Sequence, residues 1–436
     1  MSRASRFGAV ALVAFAAVLA FDAWLRRNGF VSAAVMREWG DVVLYGDGKG
    51  SFRTFTTAYP PIEFALNVFA GVPVRALCSL PPPIFTAALL AALLAAMWVS
   101  ALRAGGYGRR WSVVLTALVC LQPFFLYVTT TGVSAMLLLV AVYWLGTAYV
   151  ASRTRGRVTD FMSLAFALAF TAFVHPLGAI VCVLALPFLA FALPPELIAR
   201  SAVNSMLVLL FPLLFALGSF AYENALFQAS AATLLSSVVG RFAAVLRADQ
   251  ADARLSALVE IAGPFAALSV VAMRHWAARR RHGAEVAALL LVCVLAGESL
   301  AILRSTGEPA LWREAALGSS VAERRDVGVA AVGRFLAART DVLIDASAHP
   351  EILAARGTTH GLVVPTDDTF KLTTLTRRIH SHFVAIPDPN GPAMLDDDLL
   401  TQMFPTLYER GMPGYHLTYD ANGWRVYERN DWRNPV

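Results

Sequence analysis

The amino-acid sequence predicts a mainly α-helical, polytopic membrane protein with a small C-terminal α/β domain. Three observations support this fold class: 57 % of the 436 residues are apolar, only 15 % are charged, and the mean hydropathy is +0.59. A soluble domain usually carries about 25 % charged residues. The composition therefore excludes a disordered chain, a coiled coil and a disulfide scaffold, and it disfavours an ordinary cytosolic enzyme.

The apolar residues occur in long runs, most of them about as long as a bilayer crossing requires. The first run follows Arg3 and Arg6 and has no small-residue cleavage site before Arg26, so we interpret it as a span and not as a signal peptide. About nine spans are predicted in total, and their ranges are 7–25, 84–102, 112–128, 132–151, 161–174, 177–193, 202–222, 255–272 and 286–303.

A further apolar stretch, Ile62–Leu77, is interrupted by Glu63, Asn67 and Pro73. If this stretch does not span, the arginine-rich loops near residues 103–110, 153–157 and 274–281 all become cytoplasmic, as the positive-inside rule requires. If it spans, these loops lie outside. We therefore predict that Ile62–Leu77 is an amphipathic segment on the outer face.

Nine spans with a cytoplasmic N-terminus place three segments on the outer face: loop 26–83, loop 223–254 and the tail after Leu303. The sequence thus predicts a transmembrane domain over 1–303 and an extracytoplasmic α/β domain over 304–436. In a bacterium, this corresponds to a multi-pass protein of the inner (plasma) membrane with a periplasmic or extracellular C-terminal domain.

The charge is divided unevenly between these two parts. Residues 1–303 have a balance of +9 and residues 304–436 a balance of −3. The basic character therefore comes from arginines that flank spans, and it does not indicate a nucleic-acid partner.

The tail has short strand-like segments, which indicate a small α/β domain. Residues 341–345 and 361–365 resemble buried strands with a helix-like segment between them, and 382–387 is a third candidate. Residues 396–410 look helical, and the alternating segments 415–419 and 424–428 predict a hairpin. No phosphate-binding glycine loop follows the first strand, so no nucleotide cofactor is expected.

The richest polar segment is the first outer loop, which contains Asp41-Val-Val-Leu-Tyr45, a glycine-containing turn over 46–50, and Tyr59-Pro60-Pro61. A D-x-x-x-Y element shortly after the first span, followed by Y-P-P at the start of an apolar segment, resembles the GT-C superfamily of membrane glycosyltransferases. The likeness is greatest to the polyprenyl-phosphate-mannose-dependent branch. It covers residues 39–64 most closely and the layout of the whole chain loosely.

This resemblance implies transfer of a sugar from a polyprenyl-phosphate donor to a lipid-linked or cell-envelope glycan acceptor at the outer face of the membrane. Such a donor already has a good leaving group, so inversion needs one carboxylate that takes the proton from the acceptor hydroxyl. Asp41 occupies the base position by motif. Cationic groups would hold the leaving phosphate, for which Arg37 is the candidate. The mechanism demands no metal and no cofactor.

Several other residues are candidate catalytic or substrate-binding residues, and for each of them a purely structural role is the alternative. Asp22, near the outer end of the first span, is the rival base, although snorkelling to the interface would also explain it. Tyr45 and Tyr59 match the motif and are expected to shape the loop and the groove. The remaining substrate-binding candidates are Glu63, which could contact the acceptor or face solvent, and His175, which could donate to a phosphate or complete a turn.

Other functions remain open at this stage. A polysaccharide polymerase or ligase would place its key residues in a large later outer loop, whereas the largest outer loop between spans here is the first. A transporter would show charged residues converging at the bilayer midplane, and few occur. A non-catalytic membrane subunit is the third alternative.

Overall fold

The chain is mainly helical in the computed structural model, which describes residues 3–78, 80–193, 195–228, 239, 283–321, 329–390 and 398–430. The helices of the N-terminal two thirds are α1 Arg3–Arg27, α2 Ala33–Gly46, α3 Phe52–Thr57, α4 Pro61–Leu77, α5 Pro82–Ala104, α6 Arg109–Leu121, α7 Pro123–Thr130, α8 Val133–Arg155, α9 Val158–Val174, α10 Pro176–Ala185, α11 Leu189–Ala192 and α12 Pro195–Gln228.

The remaining helices alternate with five strands, β1 to β5. The helices are α13 Gly283–Arg304, α14 Glu308–Ala316, α15 Val329–Ala337, α16 Pro350–Arg356, α17 Asp368–Thr376, α18 Leu399–Met403 and α19 Leu407–Arg410. The strands are β1 Val342–Leu343, β2 Leu362–Val363, β3 Phe383–Pro387, β4 Tyr415–Ala421 and β5 Trp424–Arg429.

Four of the described helices are long and apolar enough to cross a membrane, which makes the chain compatible with a multi-pass membrane protein. The count rises to five if a bent pair, α6 and α7, forms one span. The predicted nine spans are therefore not confirmed. The predicted span at 255–272 lies outside the described residues. The predicted span at 286–303 coincides with α13, which is not among the four helices that are long and apolar enough. The four are Phe7–Arg27, Pro82–Ala104, Val133–Arg155 and Ser201–Phe227.

The segment predicted as one span over 112–128 consists of two helices bent by 63°. Gln122 between them has an extended backbone (φ −73°, ψ 149°) because the proline ring of Pro123 disfavours the helical conformation of the residue before it. A comparable break occurs at His175-Pro176, where the sequence predicts a turn between short apolar segments, and helices α9 and α10 meet there.

The contacts within the chain divide it into two compact units. Unit 1 comprises residues 1–27, 55–66 and 84–319, and unit 2 comprises residues 28–54, 67–83 and 320–436. The predicted boundary at 303/304 assigned the whole first outer loop to the transmembrane domain. The structure instead groups most of that loop with the C-terminal region, because the apolar side chains of α2 are buried in the core of that region.

Unit 2 is built on a mixed five-stranded sheet with the order β2-β1-β3-β5-β4. Strand β1 pairs in parallel with β2 and β3, and the β4–β5 hairpin is attached antiparallel to β3. Both the predicted strands and the predicted hairpin are present. The predicted helix at 396–410 is present only as the short helices α18 and α19, which are separated at Phe404-Pro405, and residues 396–397 lie outside the described ranges.

Both faces of this sheet are covered by apolar side chains. Val342 and Ile344 face a core that also contains Val43 and Leu44 of α2, together with side chains of α15 and α16. Leu343 faces a second core with side chains of α17, α18 and α19. Successive strand residues point to opposite faces, so a short buried run can fill both cores. Helix α2 is therefore a structural element of the α/β unit.

Candidate functional site

Helix α2 presents Arg37, Asp41 and Tyr45 at intervals of four residues, which places them on one face of the helix. The helix begins at an N-cap, Ser32, whose hydroxyl accepts a hydrogen bond from the Ala34 amide at 3.2 Å. Buried residues elsewhere on the helix include Val42, Val43 and the charged Glu38. The motif residues differ in exposure: Arg37 is exposed, Asp41 is half-buried, and the Tyr45 ring packs against the core of unit 2.

Helix α2 meets α16 in a backbone contact at Gly40. A Cβ atom added at Gly40 would lie 1.8 Å from the carbonyl oxygen of Pro350, so no larger residue fits without moving one of the helices. The two residues that follow these contact points are Asp41 and Glu351. The charge of Glu351 acts on Asp41 across this crossing.

Asp41 is half-buried. Among the described residues, no group is within hydrogen-bond or ion-pair distance of its carboxylate. Burial raises the pKa of Asp41 from its usual 3.8 to about 7; the charge of Arg37 opposes the shift and the charge of Glu351 adds to it. A carboxyl group with a pKa near neutrality and no fixed partner can accept a proton from a substrate hydroxyl.

Arg37 is exposed and lies one turn before Asp41. Its guanidinium makes no ion pair with any carboxylate in the part of the chain that the structure describes, which leaves its charge accessible to an anion in solution. Guanidinium groups bind phosphate with two parallel hydrogen bonds, so this position suits the phosphate role that the sequence predicts for it.

Tyr45 closes the turn after α2. Its phenol donates a hydrogen bond to the Ser51 carbonyl oxygen at 2.8 Å, and its ring occupies the space where a side chain at Gly50 would lie. Burial raises the pKa of Tyr45, and the charge of Asp41 raises it further. Tyr45 therefore stays protonated, and its contacts hold the turn at Gly50 and Ser51.

Asp47, the C-cap residue of α2, connects this turn to the loop before β2 through hydrogen bonds. Its carboxylate accepts hydrogen bonds from Arg75 Nη1 at 2.8 Å, from the Thr359 amide at 2.7 Å and from the Thr359 hydroxyl at 2.9 Å. Burial alone would raise the pKa of Asp47, but these hydrogen bonds outweigh burial and hold it below its usual value. Asp47 is thus a structural carboxylate, in contrast to Asp41.

The rival base, Asp22, has a partner. It is buried in α1, and its Oδ2 accepts a hydrogen bond from Arg26 Nε at 2.8 Å, one turn further along the same helix. Asp22 belongs to unit 1 and Asp41 to unit 2. The ion pair with Arg26 thus gives Asp22 a fixed partner, whereas Asp41 has none among the described residues.

Three further substrate-binding candidates belong to unit 1. The Tyr59 hydroxyl donates to the Ala172 carbonyl oxygen at 2.9 Å, and the Tyr59 ring packs against Phe220. His175 is buried, and its Nδ1 accepts a hydrogen bond from the Leu177 amide at 3.0 Å, which caps α10. Glu63 lies half-buried in the first turn of α4. The contacts of Tyr59 and His175 support the structural alternatives for these residues.

Unit 1 also contains an open, apolar cavity of about 500 Å³. Aromatic rings of α9 and α12 line it, among them Phe170, Phe173 and Phe220, and Pro61 and Ile62 of the Y-P-P element contribute to its wall. The few polar side chains at this cavity include Glu223. An apolar cavity with few polar groups suits a hydrocarbon chain.

A buried acid–base cluster at the end of β1 was not predicted from the sequence. His349 Nε2 lies 3.0 Å from Asp398 Oδ2, and both side chains are almost fully buried. Asp345 accepts hydrogen bonds from backbone amides, including that of Leu399 at 2.9 Å; burial raises its pKa despite these bonds, and the charge of Asp398 contributes to the rise. Polar residues directly after a predicted buried strand are the signal that could have indicated this cluster.

Asp398 is the N-cap of α18 and accepts a hydrogen bond from the Thr401 amide at 2.7 Å. Within the described ranges, no group of three or more His, Cys, Asp or Glu side chains is arranged to hold a metal ion.

Comparison with models of known protein families finds no match to this chain, and a search of curated proteins finds none either.

Proposed function

We propose that this chain is an integral membrane glycosyltransferase of the GT-C type. It transfers one sugar from a polyprenyl-phosphate donor to a lipid-linked or cell-envelope glycan at the outer face of the membrane, with inversion at the anomeric carbon. The observation that carries this proposal is Asp41, a half-buried carboxylate with a pKa near 7 and no ion-pair partner among the described residues.

In the proposed reaction, the acceptor hydroxyl oxygen attacks the anomeric carbon while the Asp41 carboxylate takes its proton. The bond between that carbon and the phosphate oxygen breaks, and polyprenyl phosphate leaves. A base with a pKa near the working pH is ionised in a useful fraction and still basic enough to accept the proton. The exposed guanidinium of Arg37 stabilises the leaving phosphate.

The apolar cavity of unit 1 supports a lipid-linked substrate independently of Asp41. Most of its wall is apolar, with five aromatic side chains, and the Y-P-P element contributes to it. An isoprenoid chain gains free energy by transfer to such a surface, at about 25 cal/mol per Å² of apolar area removed from water. The proposal also includes the predicted topology: nine spans and an extracytoplasmic C-terminal domain.

Transfer of a labelled sugar from polyprenyl phosphate by the purified full-length protein tests this function. We expect Asp41→Asn to reduce the transfer rate by roughly 10²- to 10⁴-fold, because the amide cannot take the proton. Asp22→Asn is the matched control and should keep most of the activity. Full activity in Asp41→Asn would reject this base. Absence of turnover with every polyprenyl-phosphate sugar tried would favour a non-catalytic membrane subunit.

A further inference from the structure

Helix α17 carries leucine side chains on the face that points away from the core of unit 2. On its inner face, Phe370 and Thr373 are buried, and Phe370 belongs to the second core. At about 100° per residue, Leu372 and Leu375 lie roughly 140–200° around the helix from Phe370. Their side chains are 48 % and 84 % exposed. A surface helix normally carries polar side chains opposite its buried face, so these two leucines indicate a surface that is covered in the working protein.

The exposed apolar surface of the C-terminal region is confined to one side of its sheet. In the described ranges 329–390 and 398–430, four large apolar side chains are exposed, namely Leu372, Leu375, Leu399 and Leu417. The first three belong to α17 and α18, which cover the second core. Leu417 of β4 pairs with Tyr427 of β5, which contributes to that core, and residues directly opposite each other on paired strands point to the same face.

Two exposed arginines directly follow α17. The helix ends at Arg377, whose backbone is left-handed (φ 50°), and Arg378 is the next residue. Neither guanidinium pairs with a carboxylate in the part of the chain that the structure describes. Lys371 of the same helix neutralises Asp368 at 3.1 Å. The segment 369–387 contains no acidic residue, so this surface is basic although the C-terminal region is acidic overall.

We propose that this surface docks on an anionic lipid bilayer. We call it the α17 patch, and it consists of Lys371, Leu372, Leu375, Arg377 and Arg378. In the docked state, Leu375 inserts among the acyl chains, and the two arginines bind lipid phosphate groups. This combination of exposed leucines and flanking cations is typical of segments that lie in a membrane interface.

The size and the location of the α17 patch favour a bilayer over a protein partner. A stable protein interface buries about 800 Å² on each partner, and the two leucines of one short helix supply only a small part of that area. The chain also has several helices long and apolar enough to cross a membrane, so a bilayer surface lies within reach of the C-terminal region. The inference goes beyond the proposed function, because it assigns a lipid contact to the α/β unit and does not depend on sugar transfer.

The solvent access of an uncharged fluorescent dye at position 375 tests this docking in the full-length protein. The four native cysteines are replaced by alanine, Leu375→Cys is labelled, and the protein is reconstituted into bilayer discs. We expect acrylamide, a neutral quencher, to quench the dye about threefold less in discs with an anionic phospholipid than in zwitterionic discs. The double variant Arg377→Gln, Arg378→Gln should lose most of this difference. Equal quenching in both kinds of disc overturns the proposal.

A second label position is the matched control. Ala338 is exposed directly after α15, which packs against the opposite side of the sheet, so quenching of the labelled Ala338→Cys variant should not depend on the lipid. Equal lipid-dependent protection at both positions overturns the proposal, because it would not be specific to the α17 patch. Protection at position 375 that grows with protein concentration and needs no anionic lipid also overturns it and assigns the patch to a second copy of this chain.

Discussion

At the scale of single residues, three aspartates with the same chemistry have three different environments. Asp41 is half-buried without a partner, Asp47 accepts several hydrogen bonds, and Asp22 is held by Arg26. The sequence motif selects Asp41 as the base and predicts Asp47 to be a turn residue. The motif does not predict the pKa of about 7, which arises mainly from burial and is opposed by the charge of Arg37.

The raised pKa of Asp41 makes the stability of the protein depend on pH. The folded state binds the proton up to about pH 7 and the unfolded state only up to about pH 4, so stability is greatest below that window and falls as the pH rises through it. We expect Asp41→Asn to stabilise the protein by up to about 4 kcal/mol at pH 8 and to have no effect near pH 4. Thermal unfolding at the two pH values measures this difference; equal effects at both would contradict it.

Asp47 should show the opposite pH dependence. Its pKa is lowered, so its stabilisation is present above about pH 4 and is lost as the pH falls below that value. Asp47→Ala leaves the Arg75 guanidinium and the Thr359 amide without an acceptor, and we expect a loss of about 1–2 kcal/mol at pH 7. Thermal unfolding at pH 7 and pH 3 measures this loss of stability, and Asp368→Ala, which removes an exposed carboxylate, is the control. No loss of stability at pH 7 would mean that water replaces the Asp47 carboxylate.

At the scale of elements, helix α2 has two roles at once. It carries the motif residues Arg37 and Asp41, and it buries Val43 and Leu44 in the core of the α/β unit, against which Tyr45 also packs. Periodicity in the sequence indicates an amphipathic helix, but it does not say which core the apolar face joins. This long-range packing explains why the sequence-based boundary at 303/304 separates segments that the structure groups together.

The close approach at Gly40 offers a test of this packing. Gly40→Ala introduces a methyl group 1.8 Å from the Pro350 carbonyl oxygen, so one helix must shift, and we expect a loss of about 2–4 kcal/mol. Gly218→Ala is the matched control, since a Cβ atom there meets no atom within 4 Å. Thermal unfolding of both variants measures the two losses of stability. A Gly40→Ala variant as stable as wild type would contradict the backbone contact.

At the scale of the whole molecule, the side of the membrane on which the α/β unit lies is the decisive prediction. The arginine-rich short loops predict a cytoplasmic N-terminus and an external C-terminus. We expect a reporter after Val436 to be external and one inserted at Gly106, in the loop after α5, to be cytoplasmic. Both reporters on one side would reject the predicted number of spans, and a cytoplasmic C-terminus would reject the proposed outer active face.

The sequence by itself predicted the apolar helices compatible with a membrane protein, the strands and the hairpin of the tail, and the turn at His175-Pro176, because these depend on composition and on local backbone preferences. It did not predict the break at Pro123, which divides the expected span over 112–128. It did not determine the two cores of the α/β unit, the His349–Asp398 pair or the backbone contact of Gly40 with Pro350. These features join residues about 50 to 300 positions apart. Only the tertiary structure decides such contacts, because they follow from how the apolar faces of distant elements are buried together.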